Sequence, residues 1–414
     1  MNSRIKILGM VLVVSLLKGV RAYGVEPDSV DLGQAAMGSA QGPWLFSGRL
    51  GSQFTDNRDG VKTNKESNTD VYVEPRVDYR FRDGERTMLD LSIFPMVKWH
   101  SNPRSATSGQ GQNDYEYFGS AAVNLTHQLS PRIGFGFSDS LTYNDDPQVN
   151  NGGTDARSSD NHYWNIARME LNSKLSETLE SSLEAEYSLK RYTDSVVANQ
   201  SDEDTLDGRA FLKYMTGAGY KLLGYVGGSE FKNKATDRSR GAKVIEVGAG
   251  VEKAFSPDLI GKVTGGYQHG EYDNSAIGSI DAPSAAAQLT MRAASETRFR
   301  VGANYGLMAA NVFPYSVQTM FSVIGAIDHD ILPKRLTASL EGQYGRGRYK
   351  SENVGVVTDA PGGTEELISV GLRANYIINR TWSVDCGYMF ENWDTNVREP
   401  FSRDVVDVSV KAQI

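Results

Sequence analysis

The chain has 414 residues, of which 39% are hydrophobic and 23% are charged. Its mean hydropathy of -0.41 excludes a helical membrane protein, and its net charge of -8 argues against nucleic acid as a partner. The one cysteine, Cys386, excludes an internal disulfide and a cysteine zinc site.

The N-terminal segment has the pattern of a secretory signal peptide. Arg4 and Lys6 supply a basic start, and an apolar run follows over residues 7–17. We therefore expect residues 1–22 to be a signal peptide and residues 23–42 to be a short periplasmic leader. Export without a helical span points to the outer membrane of a diderm bacterium.

From Trp44 onward the sequence alternates between apolar and polar residues. The clearest example is the segment 113–145, where Ser130-Pro131 separates two alternating runs. Side chains alternate faces along a strand, so each run predicts a strand with one apolar and one polar face. Each run has about a dozen residues, which is the length that crosses a bilayer when the strand is tilted.

Eight short turns and nine longer polar loops divide this part of the chain. They form a repeat of one hairpin and one long loop. Together they predict about eighteen strands, and in bacterial barrels the short turns face the periplasm. The predicted turns are Asp83-Gly84, Ser130-Pro131, Ser176-Glu177, Thr216-Gly217, Ser256-Pro257-Asp258, Ser295-Glu296, Leu332-Pro333-Lys334 and Asn379-Arg380. The predicted loops lie near residues 57–68, 102–112, 145–160, 194–204, 232–241, 273–284, 310–315, 351–363 and 394–402.

These features predict an all-β fold: a transmembrane, antiparallel, up-and-down β-barrel of about 18 strands over residues 43–414. A soluble β-sandwich or β-helix is the structural alternative, but sandwich strands usually have only about five or six residues. A barrel of the predicted size encloses an aqueous lumen rather than a core filled by side chains.

Polar and charged residues share the strand face opposite the apolar one, and this face is expected to line the lumen. One group on two neighbouring predicted strands carries both signs of charge. It either contacts a passing solute or consists of cross-strand pairs that line water. Its members are Arg168, Glu170, Glu184 and Glu186.

A second group of pore-lining candidates is made of arginines near three predicted short turns, and hence near the periplasmic mouth. Like charges on neighbouring strands repel, so an uncompensated group favours an anionic solute. The alternative is that Glu296, Asp328 and Glu341 neutralise this sector. The candidates are Arg292, Arg298, Arg300, Arg335 and Arg373.

No pattern of residues indicates an enzyme or a cofactor site. The five histidines are scattered over different hairpins without metal-ligand spacing, and no Ser/His pairing suited to hydrolysis stands out. The strand glycines Gly134, Gly136, Gly248 and Gly250 lack the strand–loop–helix context of a phosphate loop. We expect no catalytic residue, no metal and no cofactor.

Four junctions between strand and turn share a serine followed by proline or glutamate. They are Gln128-Leu129-Ser130-Pro131, Lys174-Leu175-Ser176-Glu177, Ala254-Phe255-Ser256-Pro257 and Ala294-Ser295-Glu296-Thr297. With these motifs, the chain from Trp44 to Ile414 resembles the putative β-barrel porin 2 family. The resemblance implies an outer-membrane exit pore for exopolysaccharide that works with a periplasmic polysaccharide-export protein.

The sequence and the resemblance together predict an outer-membrane pore for a hydrophilic solute, with exopolysaccharide as the leading expectation. A general or sugar-type diffusion porin is the first alternative, which a lumen plugged by an inward-folded loop, with conductance of small ions only, would favour. A structural or adhesive barrel is the second, which a lumen closed by side chains would favour. The expected partners are outer-membrane lipid, the barrel-insertion machinery, and a polysaccharide or small hydrophilic solute.

Overall fold

The structure, a computed structural model, describes most of the chain from residue 42 onward. Residues 1–41, which include the predicted signal peptide and nearly all of the predicted leader, lie outside the described residues. The described ranges are 42–58, 62–84, 86–102, 114–144, 161–193, 198, 202–217, 219–233, 241–273, 278–310, 315, 317–350, 362–397 and 399–414.

The described residues form eighteen strands that follow one another along the chain. Their alternating apolar and polar residues suit strands that face lipid on one side and the lumen on the other. The strands are β1 (Trp44–Thr55), β2 (Asn68–Asp83), β3 (Thr87–His100), β4 (Tyr115–Ser130), β5 (Ile133–Asn144), β6 (His162–Lys174), β7 (Leu179–Tyr192), β8 (Glu203–Met215), β9 (Tyr220–Asn233), β10 (Ala242–Ser256), β11 (Leu259–Tyr272), β12 (Ser279–Ala293), β13 (Thr297–Ala309), β14 (Val317–Leu332), β15 (Leu336–Lys350), β16 (Gly363–Ile377), β17 (Trp382–Thr395) and β18 (Phe401–Gln413).

Each strand pairs antiparallel with its neighbours in sequence, and β18 pairs with β1. The sheet therefore closes on itself, so that every strand has a paired neighbour on both sides. The predicted up-and-down barrel of about 18 strands is confirmed. Within the described ranges, no helix is both long enough and apolar enough to cross a membrane.

Each of the eight predicted short turns connects two paired strands, as expected. In the turn after β2, Gly84 has a φ of 54°, a left-handed conformation that glycine adopts without steric cost. At the same end of the barrel, the backbone of Phe46 exchanges two hydrogen bonds with that of Ile414. We call the end with the short turns the periplasmic end, because short turns face the periplasm in such barrels.

The prediction of a loop at 273–284 is wrong in its second half, because β12 begins at Ser279. Polar residues indicated a loop there. In the structure, Pro283 pairs with Tyr267 of β11, while the ladder to β13 begins only at Ala285. Proline has no N–H to donate. On the side of β13 no inter-strand hydrogen bond is lost, because β13 does not pair with β12 at this position.

The two faces of the wall differ as the alternation predicts. On β2, Val71 and Val73 are exposed on the outer face, whereas Tyr72 and Asp78 of the opposite parity are buried inside. Exposed aromatic side chains of the outer face also gather near both ends of the strands, as is typical of membrane interfaces. Trp99, Tyr115 and Tyr163 lie near the loops, and Trp44, Phe255 and Trp382 lie near the short turns.

Candidate functional site

The first predicted group of lumen residues lies on the inner face of β6 and β7. Arg168 lies opposite Glu186, and Glu170 lies opposite Glu184. The Arg168 Nε donates a hydrogen bond to the Glu186 Oε2 at 2.7 Å, and the Glu186 side chain is almost fully buried. Part of the group is therefore a cross-strand ion pair that is built into the wall.

A network of charged and hydroxyl groups continues from this group toward β12. Arg209 on β8 lies opposite Glu184, and its Nη2 donates to the Glu246 Oε2 at 3.1 Å. The Glu246 Oε1 accepts hydrogen bonds from the Tyr225 hydroxyl at 3.0 Å and the Ser284 hydroxyl at 2.6 Å. These bonds hold the carboxylate of Glu246 against the wall.

Sequence reasoning missed Arg209, Tyr225 and Ser284 as members of one network. Their positions alternate with the apolar residues of each strand, and this alternation in the sequence marks them as lumen-facing. Nothing in the sequence aligns β8, β9, β10 and β12 with one another, however. Only the pairing register brings these side chains to Glu246.

Two glycines make room for Tyr225 beside Glu246. A β-carbon at Gly248 would lie 2.4 Å from the Tyr225 Cζ, and one at Gly266 would lie 2.7 Å from its hydroxyl oxygen. A larger residue at either position would push the phenol out of place. These lumen-facing glycines therefore serve the packing of the wall.

The arginine group lies toward the periplasmic end of the lumen. Arg292 on β12 lies opposite Arg298 on β13, and both side chains are exposed. Arg300 forms an ion pair with Asp328 of β14, in which Nη2 and Oδ2 lie 3.2 Å apart. Asp328 thus neutralises Arg300, whereas no ion pair within the described ranges involves Arg292 or Arg298.

The other two candidate arginines have different surroundings. Arg373 is an exposed inner-face residue of β16, between Ser339 of β15 and Gly387 of β17. Arg335 lies in the short turn between β14 and β15, one residue before β15 begins. It is therefore at the rim and outside the strand wall. The structure brings three of the five arginines together on adjacent strands.

The extracellular ends of β13 and β14, which we call the inward segment, separate from β12 and lie inside it, while β14 stays paired with β15 up to Val317 and Lys350. Pairing between β12 and β13 stops at Ala285 and Tyr305, although β13 continues to Ala309. Beyond this point, the Leu307 amide donates a hydrogen bond to the Oε1 of Gln268 at 2.7 Å. Gln268 is an inner-face residue of β11, so the backbone of β13 lies across the inside of β12.

An apolar cluster holds the inward segment in place. Leu307 and Val317 have the parity of the lipid-facing side, yet their exposed fractions are only 6% and 0%. They pack against inner-face residues of the wall, including Phe231 on β9 and Tyr272 on β11. Burial of apolar surface contributes about 25 cal/mol per Å², so this contact stabilises the bent conformation.

Two residues between β13 and β14 contact β15, the strand that pairs with β14. Ala310 and Tyr315 are both buried. The Tyr315 ring lies 5.2 Å, centroid to centroid, from the ring of Tyr349, an inner-face residue of β15. The segment is therefore held against the inner faces of β9 to β12 on one side and by its pairing partner β15 on the other.

Within the described residues, no group of three or more His, Cys, Asp and Glu side chains is arranged to hold a metal ion. His100 bonds to Asp70 at 2.7 Å and His269 bonds to Asp281 at 2.8 Å. The expected absence of catalytic residues, metals and cofactors stays a prediction. What the lumen offers is a wall of charged and hydroxyl groups and an inward segment at one end.

Comparison with solved structures finds outer-membrane proteins of Pseudomonas aeruginosa. The outer-membrane protein OpdK is 12% identical with a TM-score of 0.47, and the match covers 90% of this chain and 99% of OpdK. For OccK7 (OpdD) the identity is 11%, the TM-score 0.48 and the coverage 91% and 99%. For the siderophore receptor PirA the identity is 9%, the TM-score 0.42 and the coverage 91% and 81%.

Comparison with curated protein sequences finds no match. Among protein families, residues 174–414 match the model described as putative beta-barrel porin 2. The matched part begins at the last residue of β6 and includes every strand from β7 to β18. It is more than half of the 414 residues. The chain belongs to the putative beta-barrel porin 2 family.

Proposed function

We propose that the protein is an outer-membrane channel through which hydrophilic solutes diffuse, with a size limit set by the inward segment. Membership of a porin family and a closed barrel favour a transport channel over an enzyme. The inward segment carries the proposal, because a segment folded into the lumen favours a diffusion porin among the alternatives. Its bond to Gln268 and its burial against the wall support a fixed constriction.

The lining of the lumen supports passage of polar solutes. Pairs such as Arg168 with Glu186 and Arg209 with Glu246 keep charges of both signs on the inner face. A hydrated sugar or ion can exchange hydrogen bonds with such groups, whereas an apolar solute would remove their water without replacing it. The wall therefore discriminates by polarity and the inward segment by size.

Export of an acidic exopolysaccharide is the second candidate, and the position of Arg292 and Arg298 favours it. Both side chains are exposed in the lumen near the periplasmic mouth, where an anionic chain leaving the cell enters. For this function we propose a periplasmic polysaccharide-export protein as partner at the end with the short turns. The inward segment has to yield when the chain passes.

Both candidates share one proposed route to the membrane. Residues 1–22 act as a signal peptide, and the barrel-insertion machinery assembles the strands in the outer membrane of a diderm bacterium. The lipid-facing apolar residues and the aromatic bands support this location.

Solute uptake by proteoliposomes tests the proposal. Liposomes with the purified barrel are placed in neutral sugars of increasing length, and planar bilayers record the conductance of the same preparation. We expect stepwise ion conductance, and swelling by mono- and disaccharides that falls steeply for longer oligosaccharides. Passage of a long acidic polysaccharide as readily as a disaccharide would support export instead. A barrel that neither conducts ions nor admits sugars would overturn both candidates and favour a structural role.

A further inference from the structure

Two lysines of the inner face converge on one aromatic ring in the periplasmic part of the lumen. Lys213 is the eleventh of the 13 residues of β8, and Lys262 is the fourth of the 14 residues of β11, so both lie toward the short turns. The Lys213 Nζ lies 5.7 Å from the centroid of the Phe211 ring, and the Lys262 Nζ lies 5.6 Å from it. Both ammonium groups are therefore neighbours of the same side chain.

The wall between the two lysines allows this approach. β9 and β10 separate β8 from β11, so the side chains of Lys262 and Phe211 meet over these two strands. At Gly250, β10 carries no side chain on its inner face. Phe211 packs against Tyr225, with the ring centroids 5.7 Å apart, and Glu246 accepts the hydrogen bond of the Tyr225 hydroxyl. The Phe211 ring is thus held in place by the network described above.

The carboxylates around the two lysines do not neutralise them by contact. Glu252 is the cross-strand neighbour of Lys262, but its Oε1 lies 3.5 Å from the Nζ of Lys221 on β9, with which it forms an ion pair. Glu180 lies opposite Lys213 on β7 without forming an ion pair with it. Within the part of the chain that the structure describes, neither Lys213 nor Lys262 has an ion-pair partner.

Burial makes the missing partner costly. Only 9% of the surface of Lys213 is exposed. An ammonium group that loses its water needs a compensating charge, and an aromatic ring attracts a cation only weakly. Two like charges beside the same ring also repel each other. Phe211 and Lys262 are partly exposed to the lumen, so an anion from solution can reach the pair and supply the compensating charge.

We propose that Lys213, Lys262 and Phe211 form a binding site for the anionic group of a solute in the channel, the carboxylate or phosphate of an acidic sugar. The proposal rests on the proposed channel function, because the anion reaches the site through the lumen. The lysine ammonium is a compact charge without the planar fork of arginine, so the site recognises charge rather than the shape of one group. Lys262 pairs with Gln288 of β12, so the site lies deeper in the lumen than Arg292. Anions that gather at the periplasmic mouth therefore meet it next.

Saturation-transfer difference NMR of the folded barrel in detergent tests binding without transport. The probes are glucuronate and glucose 6-phosphate, and glucose is the uncharged control. We expect several-fold more transfer to a charged sugar than to glucose, and the excess should shrink as salt is added. It should be lost when Lys213→Met and Lys262→Met are combined, because methionine keeps an unbranched stem without the charge.

Lys174→Met is the matched control, since Lys174 is an inner-face lysine at the same end of the lumen, on β6. This variant should keep most of the excess transfer. A response to one charged sugar alone supports the proposal and identifies the group that is bound. Equal transfer to all three sugars, an excess that survives in the double variant, or an equal loss in Lys174→Met would overturn it.

Block of the ion current in planar bilayers separates failure of the site from failure of the channel function. Glucuronate on the periplasmic side should block the unmodified channel, and the double variant should need about tenfold more of it. A barrel that binds charged sugars but does not conduct ions would overturn the channel function and leave the site. A conducting barrel without charge-dependent binding would do the reverse. Heat-modifiable migration checks folding, and if the double variant does not assemble, Lys262→Met alone gives the same readouts.

Discussion

The Oε1 of Gln268 and the backbone amide of Leu307 lie 2.7 Å apart, although β12 lies between their strands in the wall. This bond is possible only because β13 leaves the wall above Tyr305 and crosses the inner face of β12. It ties the inward segment to the barrel beside the apolar cluster that buries Leu307 and Val317. This contact therefore holds the inward segment inside the barrel at its extracellular end.

Replacing Gln268 by alanine should loosen the inward segment and widen the channel. The bond contributes about 1 kcal/mol, so the released conformation should become several-fold more populated. We expect a noisier, higher conductance and swelling by longer oligosaccharides. Gln343→Ala, at an inner-face glutamine of β15, is the control, and an equal effect from it would contradict a specific tether.

Removing the arginines that face each other at the periplasmic mouth should change ion selectivity. Without Arg292 and Arg298, fewer anions are concentrated there, so the double alanine variant should shift toward cation preference. The reversal potential in asymmetric salt measures this shift. Arg335→Ala, at the rim, should shift the reversal potential less than the double variant does. An unchanged potential in the double variant would leave the arginines with a structural role only.

Four consecutive residues of β13 offer a direct check of which face meets water. In a Cys386→Ser background, cysteines at Arg298 and Arg300 should react rapidly with a membrane-impermeant thiol reagent, because these positions line the lumen. Cysteines at Phe299 and Val301 should be protected by lipid. The rates should differ by at least tenfold between the two parities. Similar rates at all four positions would contradict the lumen assignment.

Deleting the last three residues should prevent assembly of the barrel. Ala412 and Gln413 pair with Gly48 and Ser47 of β1, and Ile414 exchanges two backbone hydrogen bonds with Phe46. Without them, the pairing of β18 with β1 loses its periplasmic end, and part of the edge of β1 is left unpaired in lipid. Surface labelling and heat-modifiable migration in cells measure assembly. Normal amounts of surface-exposed, heat-modifiable protein would refute this prediction.

An alanine at Gly266 should destabilise the barrel, whereas an alanine at Gly265 should not. The new methyl group at Gly266 would meet the Tyr225 hydroxyl and the Val247 carbonyl oxygen, both at 2.7 Å, and so disturb the bond from Tyr225 to Glu246. Overpacking of this kind costs about 1–3 kcal/mol. At Gly265, the nearest atom lies at an ordinary contact distance of 3.9 Å. Urea unfolding in detergent should show a lower free energy of unfolding for Gly266→Ala and an unchanged one for Gly265→Ala.

Local patterns in the sequence determined the barrel, its turns and its two faces. Strand side chains alternate with a period of two, so Val71 and Tyr72 can be assigned to opposite faces without any knowledge of their neighbours. Turn residues such as Asp83-Gly84 also act locally, because glycine permits a left-handed backbone. The number of strands follows from counting these local signals, and for that reason it was predictable.

Tertiary structure alone decided which side chains meet and where the wall departs from regularity. By parity, Leu307 and Val317 belong to the lipid-facing side, but β13 bends inward and buries them in the lumen. Glu246 receives its partners, and Asp139 meets Asn165, through a register between separate strands that no local pattern specifies. The physical reason is that pairing register is set by the summed contacts of whole strands, whereas alternation is set by the geometry of each residue.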